Sequence, residues 1–143
     1  MACNNDNNTN IPAMARLCPT LPPRAAINVG EYAELDLLKT LELGLSDAFT
    51  LFHSVDWSRG TAALEQHGEI DIVVVNQAGD VLLMEVKSGT VDFLPGGIFK
   101  TYGGHVSNVT AQIGLQYGAL CTRTRSVCWR FRWAISRRFP MPA

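Results

Sequence analysis

A chain of 143 residues, 47% of them hydrophobic, is long enough to form one domain with a real core. No apolar run approaches the roughly 20 residues of a membrane span, and the opening segment lacks a basic start followed by an apolar stretch, so no membrane association and a cytoplasmic location are expected. The net charge of −1 conceals an asymmetry: every Asp and Glu lies at or before Asp92, whereas Arg123, Arg125, Arg130, Arg132, Arg137 and Arg138 supply six of the 12 Lys and Arg. Cys3, Cys18, Cys121 and Cys128 show neither CxxC pairing nor zinc-type spacing, which leaves free thiols as the expectation.

Residues 1–25 are rich in Asn, Pro and Thr and are expected to lack order. From Asn28 the pattern changes. Tyr32, Leu35, Leu37, Leu38, Leu41 and Leu43 recur at helical spacing with Gly44 as a stop, which predicts a helix over 30–43. A first strand is expected over 48–55, followed by a loop over 56–60. Two dense Val, Ile and Leu runs near 69–75 and 81–87 read as strands buried on both faces, hence a sheet covered by helices. Glycines and Pro95 make 88–104 a loop with a short ribbon at 98–102. A second helix follows over 106–120, and the alternation Val127, Trp129, Phe131, Trp133, Ile135 predicts a last strand. The order is helix, three strands, helix, strand.

The two buried runs hold the chemistry. A three-residue turn at Gln77-Ala78-Gly79, with Gly79 in the left-handed position, pairs 76 with 80, 74 with 82 and 72 with 84. Asp71 and Glu85 are then expected directly opposite each other, with Cβ atoms roughly 5 Å apart, where like charges repel. A divalent cation relieves that repulsion, since Mg²⁺ takes one or two carboxylates plus water and substrate phosphate. Lys87 falls two residues further on the same face, beside the acidic pair. This is the layout of a metal-dependent phosphodiesterase. An acidic site with a basic end also suits a polyanionic partner, the alternative being a solvated basic terminus.

Taken together, Gly30-Glu31 opening the first helix, Gly68-Glu69-Ile70-Asp71, Glu85-Val86-Lys87 and Asn108-Val-Thr-Ala-Gln112 resemble the nuclease-related domain, NERD, of the PD-(D/E)xK nuclease superfamily. The resemblance implies an α/β, restriction-endonuclease-like core (αβββαβ, a mixed sheet flanked by helices) over 26–120. It implies hydrolysis of DNA phosphodiesters with Mg²⁺ or Mn²⁺, the metal held by Asp71, Glu85 and the carbonyl of Val86. Glu31 would reach the site from the first helix, Lys87 would orient water and stabilise phosphate charge, and Gln112 would project from the second helix. Val109 departs from the family pattern, which has proline there. Residues 121–143 form a basic segment read as a closing edge strand or a divergent terminus. Nucleic acid, most simply DNA, is the expected partner, with a second copy or a helicase-type domain helping to grip it. A nuclease-like module that binds nucleic acid without cutting it is the alternative.

Each role has a structural counterpart. Asp71 and Glu85 are alternatively strand-end charges paired with Arg59 or Lys87, and Lys87 is alternatively a partner of Glu69. Glu34 is assigned to the helix dipole. Gln116 shares the face of Gln112, so either amide can serve. Lys100, Tyr102 and His105 read as surface residues beside the site, His53 and His67 as structural, and Trp57, Trp129 and Trp133 as packing rather than base-stacking residues.

Overall fold

The computed structural model describes residues 13–20, 28–61, 64–123 and 131–138. The elements in chain order are β1 (Arg16–Cys18), α1 (Val29–Gly44), β2 (Phe49–Thr61), β3 (Leu64–Asn76), β4 (Val81–Ser88), β5 (Asp92–Leu94), β6 (Gly97–Tyr102), β7 (His105–Asn108), α2 (Val109–Arg123) and β8 (Phe131–Arg138). A five-stranded mixed sheet runs β1-β2-β3-β4-β8, and β5-β6-β7 form a separate meander. The expected αβββαβ order is present, with the meander inserted before the second helix.

Four expectations are corrected. Arg16–Cys18, inside the segment expected to lack order, pairs parallel to β2 at the sheet edge, while residues 1–12 and 21–27 lie outside the described residues. The loop expected over 56–60 is strand: β2 and β3 continue together as far as Thr61–Leu64. Turn-type residues at 56, 58 and 60 suggested a loop, but Val55 and Trp57 between them keep the period of two and pack into the core. The glycine-rich stretch holds two short strands, β5 and β6, and β7 occupies 105–108, where the second helix was expected to begin; α2 starts at Val109 instead. The last strand begins at Phe131, and 124–130 lie outside the described residues.

The hairpin register is the expected one. Val75 pairs with Val81, Val74 with Leu82, Val73 with Leu83 and Ile72 with Met84. Gly79 sits at φ 84°, its N–H donating to the Asn76 carbonyl at 3.0 Å. The Asn76 and Asp80 side chains lock the turn from both sides, at 2.8 and 3.0 Å.

Two apolar layers cover the sheet. Leu51, Ile72, Val74, Met84 and Val86 bury against Ala33 and Leu38 of α1. Val73, Val81 and Leu83 bury on the opposite face with Ala119 of α2, so β3 and β4 are enclosed on both sides. Each such side chain removed from water contributes about 1.5–3 kcal/mol. Helix α1 starts where the Asn28 side chain accepts the Glu31 N–H at 3.0 Å. Asn108 does the same for α2, accepting from Ala111 N–H at 2.9 Å. The Thr110 hydroxyl accepts from Ile98 N–H at 2.9 Å, which fastens the meander to α2.

The paired strands β2 and β3 change face halfway along. Leu51 belongs to the α1 layer, yet Val55 and Trp57, of the same parity, belong to the α2 layer; Ile72 and Ile70 divide in the same way. The switch falls at Ser54, whose φ of 50° is left-handed, opposite Asp71. Beyond it, Trp57 lies across Gly68, where an added Cβ would meet the indole at 2.9 to 3.0 Å. Gly68→Ala is expected to cost about 1–3 kcal/mol through overpacking. Denaturant unfolding measures it, and an unchanged midpoint would show that the indole yields freely.

Candidate active site

The β3–β4 ladder stops at Ile72–Met84, one position short of Asp71 and Glu85. There the Asp71 carboxylate takes over from the backbone, its Oδ2 accepting the Val86 N–H at 2.6 Å. The side chains expected as an ordinary cross-strand pair therefore meet at a fork between diverging strands. Asp71 holds its proton up to about pH 7, because burial disfavours its charge and the Glu85 carboxylate adds repulsion, with a smaller push from Glu34. The Val86 N–H and the Lys87 ammonium oppose these effects without cancelling them.

Glu85 is 2% exposed and is the hub of the site. Its Oε1 accepts from the Lys87 ammonium and from Gln112 Nε2, the latter at 2.6 Å. Its Oε2 accepts from Gln116 Nε2 at 2.8 Å, and the same amide nitrogen donates to the Glu69 carbonyl at 3.1 Å. Burying a carboxyl group is costly unless its oxygens find donors, and both oxygens of Glu85 have them. Lys87 thus pairs with Glu85 rather than Glu69. Both glutamines reach the site, so Gln116 joins Gln112; their spacing of four on one helix face was the signal for it.

The α1 contribution differs from expectation. Asp71 feels the charge of Glu34, which sits among acidic neighbours: its own pKa is raised by burial first, then by Glu69, Glu85 and Glu31. Glu34 belongs to the site's field and is more than a helix-dipole residue. Glu31, one turn earlier, lies in the first turn of α1, half-buried, and its charge is felt by Glu34.

The remaining candidates separate clearly. Lys100 is half-buried and donates to the Ser88 carbonyl at the end of β4. Tyr102 and His105 are exposed on the meander, and His67 is exposed on β3. His53 lies 3.0 Å from the Pro19 carbonyl through Nε2, a structural contact. Trp57 packs in the core; Trp129 lies outside the described residues. A cleft of about 610 Å³ opens beside the hub, walled by Trp57, Gly68, Asn108, Gln112 and Gln116 among others. That volume is in the range of small-ligand sites.

The donor set suits a hard cation. Among the described residues no three His, Cys, Asp or Glu side chains form a ready cage. Two carboxylates and the Val86 carbonyl match an ion that keeps several of its waters, as Mg²⁺ does. The crowding that protonates Asp71 near neutrality, and the buried Gln116 Oε1 that has no hydrogen-bond partner, are what a cation with its water shell would relieve.

A helix-flanked mixed sheet in αβββαβ order, with an acid on the second core strand and Glu-x-Lys on the third, is a restriction-endonuclease-like fold. The model of the nuclease-related domain family, NERD, matches residues 29–120, and the chain belongs to that family. The matched span runs from the start of α1 nearly to the end of α2. Searches of curated proteins and of solved structures returned no match. Among the described residues, no helix is long and apolar enough to cross a membrane.

Proposed function

We propose that the chain hydrolyses phosphodiester bonds of DNA with Mg²⁺ or Mn²⁺ held by Asp71, Glu85 and the Val86 carbonyl. The observation that carries the reading is Glu85, buried at the end of β4 with Lys87, Gln112 and Gln116 converging on its two oxygens. A Mg²⁺ or Mn²⁺ held there would supply a water of lowered pKa and polarise the phosphoryl oxygen. Lys87 leaves Glu85 to stabilise negative charge developing on the phosphate, and Gln112 orients the attacking water through its amide. Gln116 holds the Glu85 carboxylate in place from the cleft side. A second copy, or a helicase-type domain beside this one, would complete the grip on the duplex.

Cleavage of a labelled DNA with Mg²⁺ tests this. Asp71→Ala, Glu85→Ala and Lys87→Ala are each expected to lose at least about 100-fold in rate, near 2.7 kcal/mol of transition-state stabilisation. Undiminished cleavage in all three variants rejects the site. The pairing of Lys87 with Glu85 favours a second reading, a nucleic-acid-binding module that needs no metal, because the ammonium already neutralises that carboxylate. Calorimetric titration with Mn²⁺ separates the two. Binding that vanishes in Glu85→Gln supports the enzyme, and metal-independent, salt-sensitive DNA binding supports the module.

A further inference from the structure

Charge is divided at the end of β4. Asp71, Glu85 and Glu34 gather on the acidic side with too little positive charge among them. The opposite imbalance lies a few residues away. Lys87 is paired with Glu85, but Lys100 donates to a neutral acceptor, the Ser88 carbonyl, one residue beyond Lys87. That contact sets Lys100 at the residue next to Lys87, and its pKa is lowered, by burial first and then by the Lys87 charge. An ammonium has three protons to donate, and the Ser88 carbonyl takes one.

This is no incidental loop lysine. Lys100 lies mid-strand on β6, in register with Ser107 of β7. The Ile98–Thr110 hydrogen bond ties that strand to α2, which also carries Gln112 and Gln116. Gly97 permits the close approach, since a Cβ there would lie 2.8 Å from the Thr110 hydroxyl. On the other edge of β4, the β8 register sets Arg137 beside Lys87 and Arg138 beside Ser88. Meander and central strand thus bring the Lys100 and Lys87 side chains to one end of the sheet. Bringing cations together costs free energy unless an anion joins them.

We infer that Lys100, beside Lys87, forms a phosphate-binding subsite at the end of β4 that holds a backbone phosphodiester of the nucleic-acid substrate. The inference rests on the nuclease reading and deepens it by assigning Lys100 to substrate binding. Lys87 serves the phosphate under attack, and Lys100 fixes the strand so that this phosphate stays in place.

Binding of a duplex oligodeoxynucleotide in EDTA, measured across a salt series, tests the subsite. Loss of one phosphate contact lowers the slope of log affinity against log salt by about 0.9. Lys100→Gln is expected to show that loss with several-fold weaker binding at low salt, and Lys100→Arg to restore both. In the Mg²⁺ cleavage assay Lys100→Gln is expected to raise KM by a larger factor than it lowers kcat. A methylphosphonate scanned along the strand supplies a second arm. Neutralising one particular phosphate weakens binding to the wild type but not to Lys100→Gln, since the partner is already gone. If Lys100→Gln melts early, Lys100→Met, which keeps the packing of the stem, carries the same test. An unchanged salt slope, a failure of Lys100→Arg to restore it, or the same methylphosphonate effect in wild type and variant overturns the inference. So does a wild type that does not bind DNA. Undiminished cleavage in Glu85→Gln defeats the nuclease reading instead, whatever Lys100 does.

Discussion

Asp71→Asn is expected to stabilise the metal-free protein above neutral pH and to abolish the proposed metal-dependent cleavage. The two effects share one cause. Asp71 titrates near 3.8 in an unfolded chain and near 7 in the folded one, because it is buried beside Glu85. Between those values the folded state binds the extra proton, so by linkage stability falls as pH rises from about 4 to about 7 and the loss persists above. At about 1.4 kcal/mol per unit, and discounting for partial exposure, the penalty is on the order of 3 kcal/mol. Asparagine keeps the shape and can still accept the Val86 N–H, but carries no charge to repel Glu85. A cation held by the pair would remove the same penalty in the wild type. Thermal unfolding above neutral pH, with and without Mg²⁺, is the measurement. The wild type is expected to gain stability with metal, and Asp71→Asn to start higher and gain little. A variant that melts below the metal-free wild type at every pH would show that the carboxylate is structural.

What the sequence discloses about this site follows from how local each signal is. The turn at Gly79 and the alternation on either side of it fix a register that puts Asp71 and Glu85 at one level, and the structure keeps that register through Ile72–Met84. The fork beyond it is not a local property. It arises where β2 and β3 change face at Ser54 and Asp71, and nothing in the residues at 54 or 71 announces a left-handed serine. Glu34 shows a second kind of limit. Acidic residues near a helix start satisfy the dipole and a site equally well, and only packing of α1 on the sheet decides which. The extension of β2 was hidden by composition, since Asp56, Ser58 and Gly60 are turn-type residues that here stay paired with β3. The parallel pairing of Arg16–Cys18 with β2 depends on contacts some 34 residues distant in the chain and leaves no periodic trace in three residues. Glu85, by contrast, was legible as an anomaly: a charge in a run of Val, Leu and Met has to be either wrong for a strand or necessary for chemistry.

Glu85→Gln is expected to have the opposite effect on stability. Glu85 accepts three hydrogen bonds from three side chains: the Lys87 ammonium and the Gln112 amide on Oε1, and the Gln116 amide on Oε2. A glutamine at 85 has one oxygen and one NH₂ to offer those donors. Its NH₂ cannot face Gln116, whose own Nε2 is held in place by the Glu69 carbonyl. It must therefore face Gln112 and Lys87, which puts donor against donor and strips a half-buried ammonium of its counter-charge. Leaving such groups unpaired costs roughly 2–4 kcal/mol. The proposed metal binding and cleavage are expected to go with it, because one of the two carboxylates at the fork becomes neutral. The two isosteric amides thus separate the roles of the two acids: Asp71→Asn is expected to raise the melting temperature of the metal-free protein and Glu85→Gln to lower it, while both remove Mn²⁺ binding in calorimetry. In the double variant the repulsion between the carboxylates is gone from the start, so the gain from Asp71→Asn shrinks and the two changes are non-additive. A Glu85→Gln protein that melts with the wild type would show that Lys87 and the glutamines find other partners, and that Glu85 does not organise the site.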